Sequence, residues 1–258
     1  MMRIVQSYNG RIDDKVEVTR WMTELSVIYL NRLGLRPVLY TNRQGRKNLG
    51  RILDYYAEVH ELKIPRWVDG RFFAAAKFFA MQHEPLGTIH IDNDVLLKTP
   101  RLIDRISSLC ASADVVVQGI ERYVDKPYDD CIAEYTAAGY RFGLDINHNT
   151  PINTGFICIT NEALREAYYT QYFDAVRHMS RWLRCTTKRV YPDYIPEQAA
   201  LYTLCKENNY RIGEIIDAPT IDECNIQADA IGYAHFWGGS KIANLPLIQS
   251  RVRELSGR

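Results

Sequence analysis

The sequence predicts an α/β fold, and three observations carry that expectation. Short runs rich in Val and Ile alternate along the chain with longer segments of helical spacing, the pattern of strands covered by helices. Of the 258 residues 47% are hydrophobic and 24% charged, ordinary composition for a chain that buries a sizeable core. No internal repeat, low-complexity run or evident linker interrupts the alternation, and 258 residues allow one large domain or two small ones.

The elements follow in order. Residues 3–8 read as an apolar strand ending in a turn at Asn9-Gly10. Helical spacing runs from about Val18 to Leu33 and stops at Gly34, a residue suited to a helix end. A short strand is expected over 37–40, a polar and basic loop over 41–50, and another short strand over 57–61. The alanines and apolar spacing of 71–84 predict a helix. Residues 87–97 read as a buried strand running into a polar step. A helix over 101–110 and a strand over 114–120 follow. The stretch 121–151 is irregular, polar and rich in tyrosine, and is expected to form a lid or a long surface loop. Then come a strand over 152–160, a long helix over 161–184, a helix over 197–208, and strand-like segments at 211–217 and 231–242.

Composition excludes several classes. Lys plus Arg number 32 and Asp plus Glu 31, for a net charge of +1, which is not the basic footprint of a nucleic-acid binder and not a disordered composition. No run approaches the roughly 20 apolar residues of a membrane span, and the first residues show no apolar leader, so a cytoplasmic protein is expected. The six cysteines are widely spaced with no CxxC pair, which argues against a disulfide framework or a zinc site.

Two constellations carry chemistry. The first is Asp92-Asn93-Asp94, after the mostly apolar residues 88–91. Ligands of α/β sheets collect beyond the carboxyl ends of strands, and paired carboxylates there suit a hard divalent cation. The alternative is a strand ending in an ordinary polar turn. The same string resembles the first motif of haloacid-dehalogenase-like phosphatases, in which Asp92 would be the nucleophile. Here, however, the motif lies more than 90 residues into the chain, with no convincing basic and acidic motifs after it. The second constellation is His235 to Lys241, His-x-x-Gly-x-x-Lys with Gly238 central. An imidazole ligates manganese-class cations, a glycine lets backbone amides approach a phosphate, and a lysine adds a compact positive charge. The alternative is an aromatic-glycine turn beside a surface lysine.

Taken in order, the Asp-x-Asp after a buried strand, Asn153-Thr154-Gly155 and the late His-x-x-Gly-x-x-Lys resemble glycosyltransferase family 8 and its relatives over roughly residues 1–245. The resemblance implies a single-domain, Rossmann-like glycosyltransferase-A fold with a central mixed sheet flanked by helices. The nucleotide-binding part would span about 1–100 and the acceptor side about 101–245. It implies sugar transfer from a nucleotide sugar, UDP-linked as a rule, to a saccharide or lipid-linked glycan, with Mn2+ or Mg2+ and with retention. It also implies roles: Asp92, Asp94 and His235 as metal ligands, and Gly238 and Lys241 as the diphosphate clamp. Asn153 would lie beside the donor sugar, Glu197 and Gln198 would face the reacting carbon, Lys77 would contact the donor, and Tyr8 would stack on the base. Glu197 stands where the family has aspartate, Lys77 where arginine is commoner, and Ile242-Ala243 where it has Pro-Trp.

Other residues admit bland readings. An inverting enzyme would need a base, and Asp125, Asp129, Asp130 and Asp145 are offered by the irregular region. His148 lies in the same region; His60, His83 and His178 read as ordinary surface or half-buried histidines. Arg177, Arg181 and Arg184 share a helix face and, with Lys188, Arg189, Trp182 and Tyr191, make a basic patch over 177–189. This is either a solvated face or a contact for an anionic membrane surface. A nucleotide-sugar-binding module without transferase activity is the non-enzymatic alternative.

Overall fold

The computed structural model describes residues 2–10, 16–122, 128–146, 150–186, 191–236 and 239–257. In chain order the elements are β1 (Ile4–Tyr8), α1 (Val16–Arg32), β2 (Val38–Thr41), α2 (Arg43–Leu49), β3 (Glu58–Glu61), α3 (Ala75–Met81), β4 (Ile89–Ile91) and β5 (Val95–Leu97). They continue with α4 (Pro100–Ser112), β6 (Val115–Ile120), α5 (Tyr128–Ala137), β7 (Ile152–Ile159) and α6 (Glu162–Leu183). A π-helix (Tyr194–Ala199) leads into α7 (Ala200–Glu207), and β8 (Ile212–Glu214), α8 (Ile221–Ile231), β9 (Tyr233–His235), α9 (Ser240–Ala243) and α10 (Leu245–Ser256) complete the order.

The α/β expectation holds. Seven strands form one mixed sheet in the order β3-β2-β1-β4-β7-β6-β8, with helices on its faces. Strands β1 to β4 of this sheet are mutually parallel, and β7 runs antiparallel to both β4 and β6. Strands β5 and β9 pair antiparallel as a separate ribbon. Alternation along the strands divides the core. Val115, Val117, Ile157 and Ile159 face the layer of α3, α6 and α7, whereas Val116, Phe156 and Cys158 face the α4 side, the period-two pattern of a sheet covered on both faces.

Several expected boundaries move. Residues 43–49 form α2, not a loop, because the Asn42 side chain caps it by accepting from the Gly45 amide at 2.7 Å. The helix expected over 71–84 is confined to α3, since the Ala74 amide donates to buried Asp193 and Arg71 folds back onto Asp69. The irregular region contains α5, whose Cys131 and Tyr135 enter the core. In the tail the expected strands shorten to β8 and β9, with α8 between them, α9 inside the segment 231–242 and α10 after it. Among the described residues no helix is long and apolar enough to cross a membrane.

Candidate functional site

Topology brings three separated strings to one end of the sheet. Strand β4 ends at Ile91, where the chain turns: the Asp92 amide donates to the Gly155 carbonyl at 2.7 Å and the Val95 amide to the Asp92 carbonyl at 3.1 Å. Because β7 is antiparallel to β4, with Ile91 opposite Phe156, its first residues Asn153-Thr154-Gly155 lie beside that turn. The β5–β9 ribbon sets Val95 opposite His235, and the Phe236 amide donates to the Asp94 carbonyl at 3.0 Å. One ligand atom each from Asp92, Asp94 and His235 therefore lies within 4.8 Å of the others.

The environment of this cluster fits a divalent cation. His235 Nδ1 donates to Gln118 Oε1 at 2.7 Å, and that oxygen also accepts from Tyr233 OH at 2.8 Å. Fixing the proton on Nδ1 leaves Nε2, 3.5 Å from Asp94 Oδ1, as a neutral donor for a metal. Two carboxylates and an imidazole form a set suited to Mn2+ and, less selectively, Mg2+. Gly155 makes the room: a Cβ there would stand 2.6 Å from His235 Cε1 and 3.0 Å from Nδ1. The Lys241 ammonium pairs with Asp94 Oδ2.

Behind the cluster lies a buried ionic network. Lys77 Nζ donates to Glu197 Oε1 at 2.7 Å and to the Thr154 carbonyl at 2.7 Å, and stands 3.3 Å from Asp92 Oδ1. Thr154 Oγ1 donates to the same Glu197 oxygen at 2.6 Å. The other Glu197 oxygen and Asn93 Oδ1 are buried with no hydrogen-bond partner, and His90 Nδ1, also without a hydrogen bond, stands 3.6 Å from Asp92 Oδ1. Buried polar atoms without a hydrogen bond are costly, and these three lie in the network behind the cluster.

Charges inside the network shift one another. Burial, reinforced by Asp94 and Glu197 and opposed by Lys77, pushes the Asp92 carboxyl up to about 6. Burial works upward on Asp94 too, but His235 and Lys241 hold it below the usual carboxylate range. Burial disfavours the Lys77 ammonium, yet Asp92 and Glu197 raise its pKa and keep it charged. Burial and the Lys77 charge keep His90 neutral. Asp193, accepting from the Ala74 amide and Tyr172 OH, is pushed up to about 8 by burial and then by Glu197.

The remaining predicted residues fall as follows. Tyr8 ends β1 at the same sheet end, half-buried, its hydroxyl accepting from Asn48 at 3.0 Å. Asn153 Nδ2 donates to Glu121 Oε1 at 2.6 Å while its Oδ1 accepts from the Gly155 amide. Glu197 and Gln198 sit on the π-helix, a local widening common at functional sites, and Gln198 Oε1 accepts from Tyr128 OH at 2.8 Å. Gly238, Asp125, His148, Lys188 and Arg189 lie outside the described residues. Asp129, Asp130 and Asp145 are exposed and are not gathered with the cluster. His60 pairs with exposed Glu58, and His178 bonds the Ala138 carbonyl. The phosphatase reading gave His235 no part, whereas His235 stands against Asp94.

Sequence reasoning missed Gln118, Glu121, Thr154, Asp193 and His90. Gln118 and His90 carried a signal: each is a lone polar residue inside an otherwise apolar strand, a position that requires a buried partner.

No protein-family model matches the chain, and no curated protein matches it in sequence. Among solved structures, the inositol-1-phosphate CTP transferase from T. maritima is 11% identical with a TM-score of 0.45, over 98% of this chain and 97% of that one. The galactosyltransferase LgtC, in complex with donor and acceptor sugar analogs, is 11% identical with a TM-score of 0.41, over 83% and 73%. The 4-diphosphocytidyl-2C-methyl-D-erythritol synthase from Anaerococcus prevotii is 10% identical with a TM-score of 0.41, over 90% and 99%. Likenesses of this size assign no activity to the chain.

Proposed function

We propose that the protein is a metal-dependent glycosyltransferase of the hexosyltransferase type, which moves a sugar from a UDP-linked donor to a saccharide or lipid-linked glycan. The observation that carries this reading is the convergence of Asp92, Asp94 and His235 within 4.8 Å, with Lys241 on Asp94 and the Lys77–Glu197 pair behind.

Asp92, Asp94 and His235 would hold the cation, whose chemistry is to neutralise the diphosphate of the donor. Lys241 adds a second positive charge as the bond from the anomeric carbon to the phosphate oxygen breaks. The partnerless Glu197 oxygen accepts a hydroxyl of the donor sugar, while Lys77 and Thr154 fix the other oxygen and the orientation of the carboxylate. The same carboxylate, with the Gln198 amide, stabilises positive charge developing at the anomeric carbon. The acceptor oxygen then forms its bond to that carbon, and its proton passes to the departing diphosphate oxygen. The anomeric configuration is retained. Exposed Arg177, Arg181 and Arg184, with Arg177 over Trp67 at 5.6 Å, offer a contact for an anionic membrane surface carrying a lipid-linked acceptor. Absence of binding in liposome flotation removes that contact without touching the catalytic reading.

The test is UDP release from a panel of UDP-hexoses with manganese, alone and with glycan acceptors. Release is expected, and Asp94→Ala should lower it by at least about 100-fold, as loss of a principal electrostatic group does. No release from any UDP-hexose contradicts the reading.

A further inference from the structure

Among the described residues the exposed large hydrophobic side chains are Phe73, Leu86, Tyr191, Ile221, Ile226, Ile242 and Leu247. Only two of these are aromatic, Phe73 at 54% exposure and Tyr191 at 36%, and both stand on the same ring. Tyr191 stacks on Tyr194 with centroids 5.3 Å apart and planes at 16°, and Phe73 meets Tyr194 edge-on at 6.2 Å. Tyr128 adds a fourth ring, tilted 5.9 Å from Tyr194.

This cluster is built into the candidate site. Phe73 lies two residues before α3, which carries Lys77, and Tyr194 shares the π-helix with Glu197 and Gln198. The Tyr128 hydroxyl donates to Gln198 Oε1 at 2.8 Å. A continuous path thus leads outward from Asp92 through Lys77, Glu197 and Gln198 to Tyr128 and the exposed rings. Asn153 and Glu121, joined at 2.6 Å, add further polar groups beside Thr154.

We infer that Phe73, Tyr191 and Tyr194 form the acceptor subsite, and that its ligand is a pyranose of a saccharide acceptor. The inference rests on the glycosyltransferase reading and specifies its second substrate. Exposed apolar patches on a folded protein mark binding surfaces, and this one combines apolar ring faces with amide and phenol groups at its edge. A pyranose has the matching surface: an apolar face of C–H groups that packs on an aromatic ring, and a rim of hydroxyls that needs hydrogen-bond partners. An aliphatic chain would pack on the rings alone and make no use of the amide and phenol groups beside them. Gln198, which the glycosyltransferase reading sets beside the donor sugar, is tied through its oxygen to Tyr128 of the platform, so that ring stacking sets the acceptor hydroxyl against the donor sugar.

The experiment uses the full chain on a glycan array, with and without UDP and manganese, alongside Phe73→Ala, Tyr191→Ala, Tyr191→Phe and the Phe73→Ala/Tyr191→Ala pair. Manganese–UDP affinity and thermal midpoint are measured on the same samples. The expected result is binding of defined saccharides by the wild type and by Tyr191→Phe. Each alanine variant should lose about tenfold in saccharide affinity, the usual weight of an aromatic anchor, with UDP affinity and thermal midpoint unchanged. Once a saccharide acceptor is in hand, its KM should rise in the alanine variants while UDP release without acceptor stays level. Failure of UDP binding with saccharide binding still lost in the alanine variants overturns the donor reading and leaves the platform standing. UDP binding with no saccharide bound by the wild type, or with saccharides bound equally by the alanine pair, overturns the platform.

Discussion

Gly155→Ala perturbs the proposed metal site where its packing is closest. The added methyl would stand 2.6 Å from His235 Cε1, 3.0 Å from His235 Nδ1 and 3.2 Å from Asn153 Oδ1, whereas ordinary contact begins near 3.4 Å. Widening 2.6 to 3.4 Å moves the imidazole by about 0.8 Å, several times the roughly 0.2 Å latitude of a metal–ligand bond. The ring is also tied to Gln118 at 2.7 Å, so the shift strains the bond that fixes its tautomer. Disturbing such a support costs roughly 10- to 100-fold in metal affinity, and that is the loss expected for manganese. The fold should tolerate the change, because the crowded atoms belong to side chains. Overpacking of this kind costs about 1–3 kcal/mol, and the lower end amounts to about 2–4 °C in the melting midpoint. Calorimetric titration of manganese, with thermal melts of the same samples, reads both effects. A folded variant that binds manganese like the wild type refutes the argument and removes His235 from the ligand set.

Further expectations follow from the same network. Lys77→Met strands Glu197 and Asp92 without their shared cation; breaking a buried pair costs about 3–5 kcal/mol, and a thermal melt should show a midpoint lower by about 6–20 °C, an unchanged midpoint counting against the network. Lys241→Ala frees Asp94 from its ion pair. Titration should therefore show tighter binding of manganese alone and weaker binding of UDP with manganese, and a loss of both would mean that Lys241 only supports the fold. Asp193 is raised from an unfolded value of about 3.9 to about 8. A raised carboxyl contributes stability below its unfolded pKa and loses it as pH rises through the folded one. Asp193→Asn should therefore flatten the fall in melting midpoint between pH 4 and pH 8, and melts that run parallel to the wild type would contradict this. Asp92, raised to about 6, adds to the wild-type fall between pH 4 and pH 6.

Much of this architecture was legible because strands and helices announce themselves by spacing. The runs at 114–120 and 152–160 are visible in the letters, and they become β6 and β7, buried at every position; Gly34 ends α1 with φ near +73° as a glycine can. Helix α2 was hidden because its composition is polar and basic; what forms it is the Asn42 cap. Helix α5 was hidden among tyrosines and acids, since it buries only one face. At the site, Asp92, Asp94, His235 and Lys241 were readable from their order. Their meeting depends on pairings no local pattern reveals, namely Val95 opposite His235 and Ile91 opposite Phe156. Lys77 interrupts an apolar helix and is read from the resemblance as a donor contact; its burial makes sense only once Glu197, 120 residues away, supplies the counter-charge. Asp193 and Glu121 gave no such signal, since their partners come from distant segments.

The central claim is that Asp92, Asp94 and His235 hold a cation for a nucleotide diphosphate. Calorimetric titration of UDP into the protein, with and without manganese, tests it most directly, repeated for Asp94→Ala and His235→Ala. The account predicts manganese-dependent UDP binding that both substitutions abolish. UDP binding that ignores manganese and survives both substitutions, or no binding under any metal condition, would contradict it.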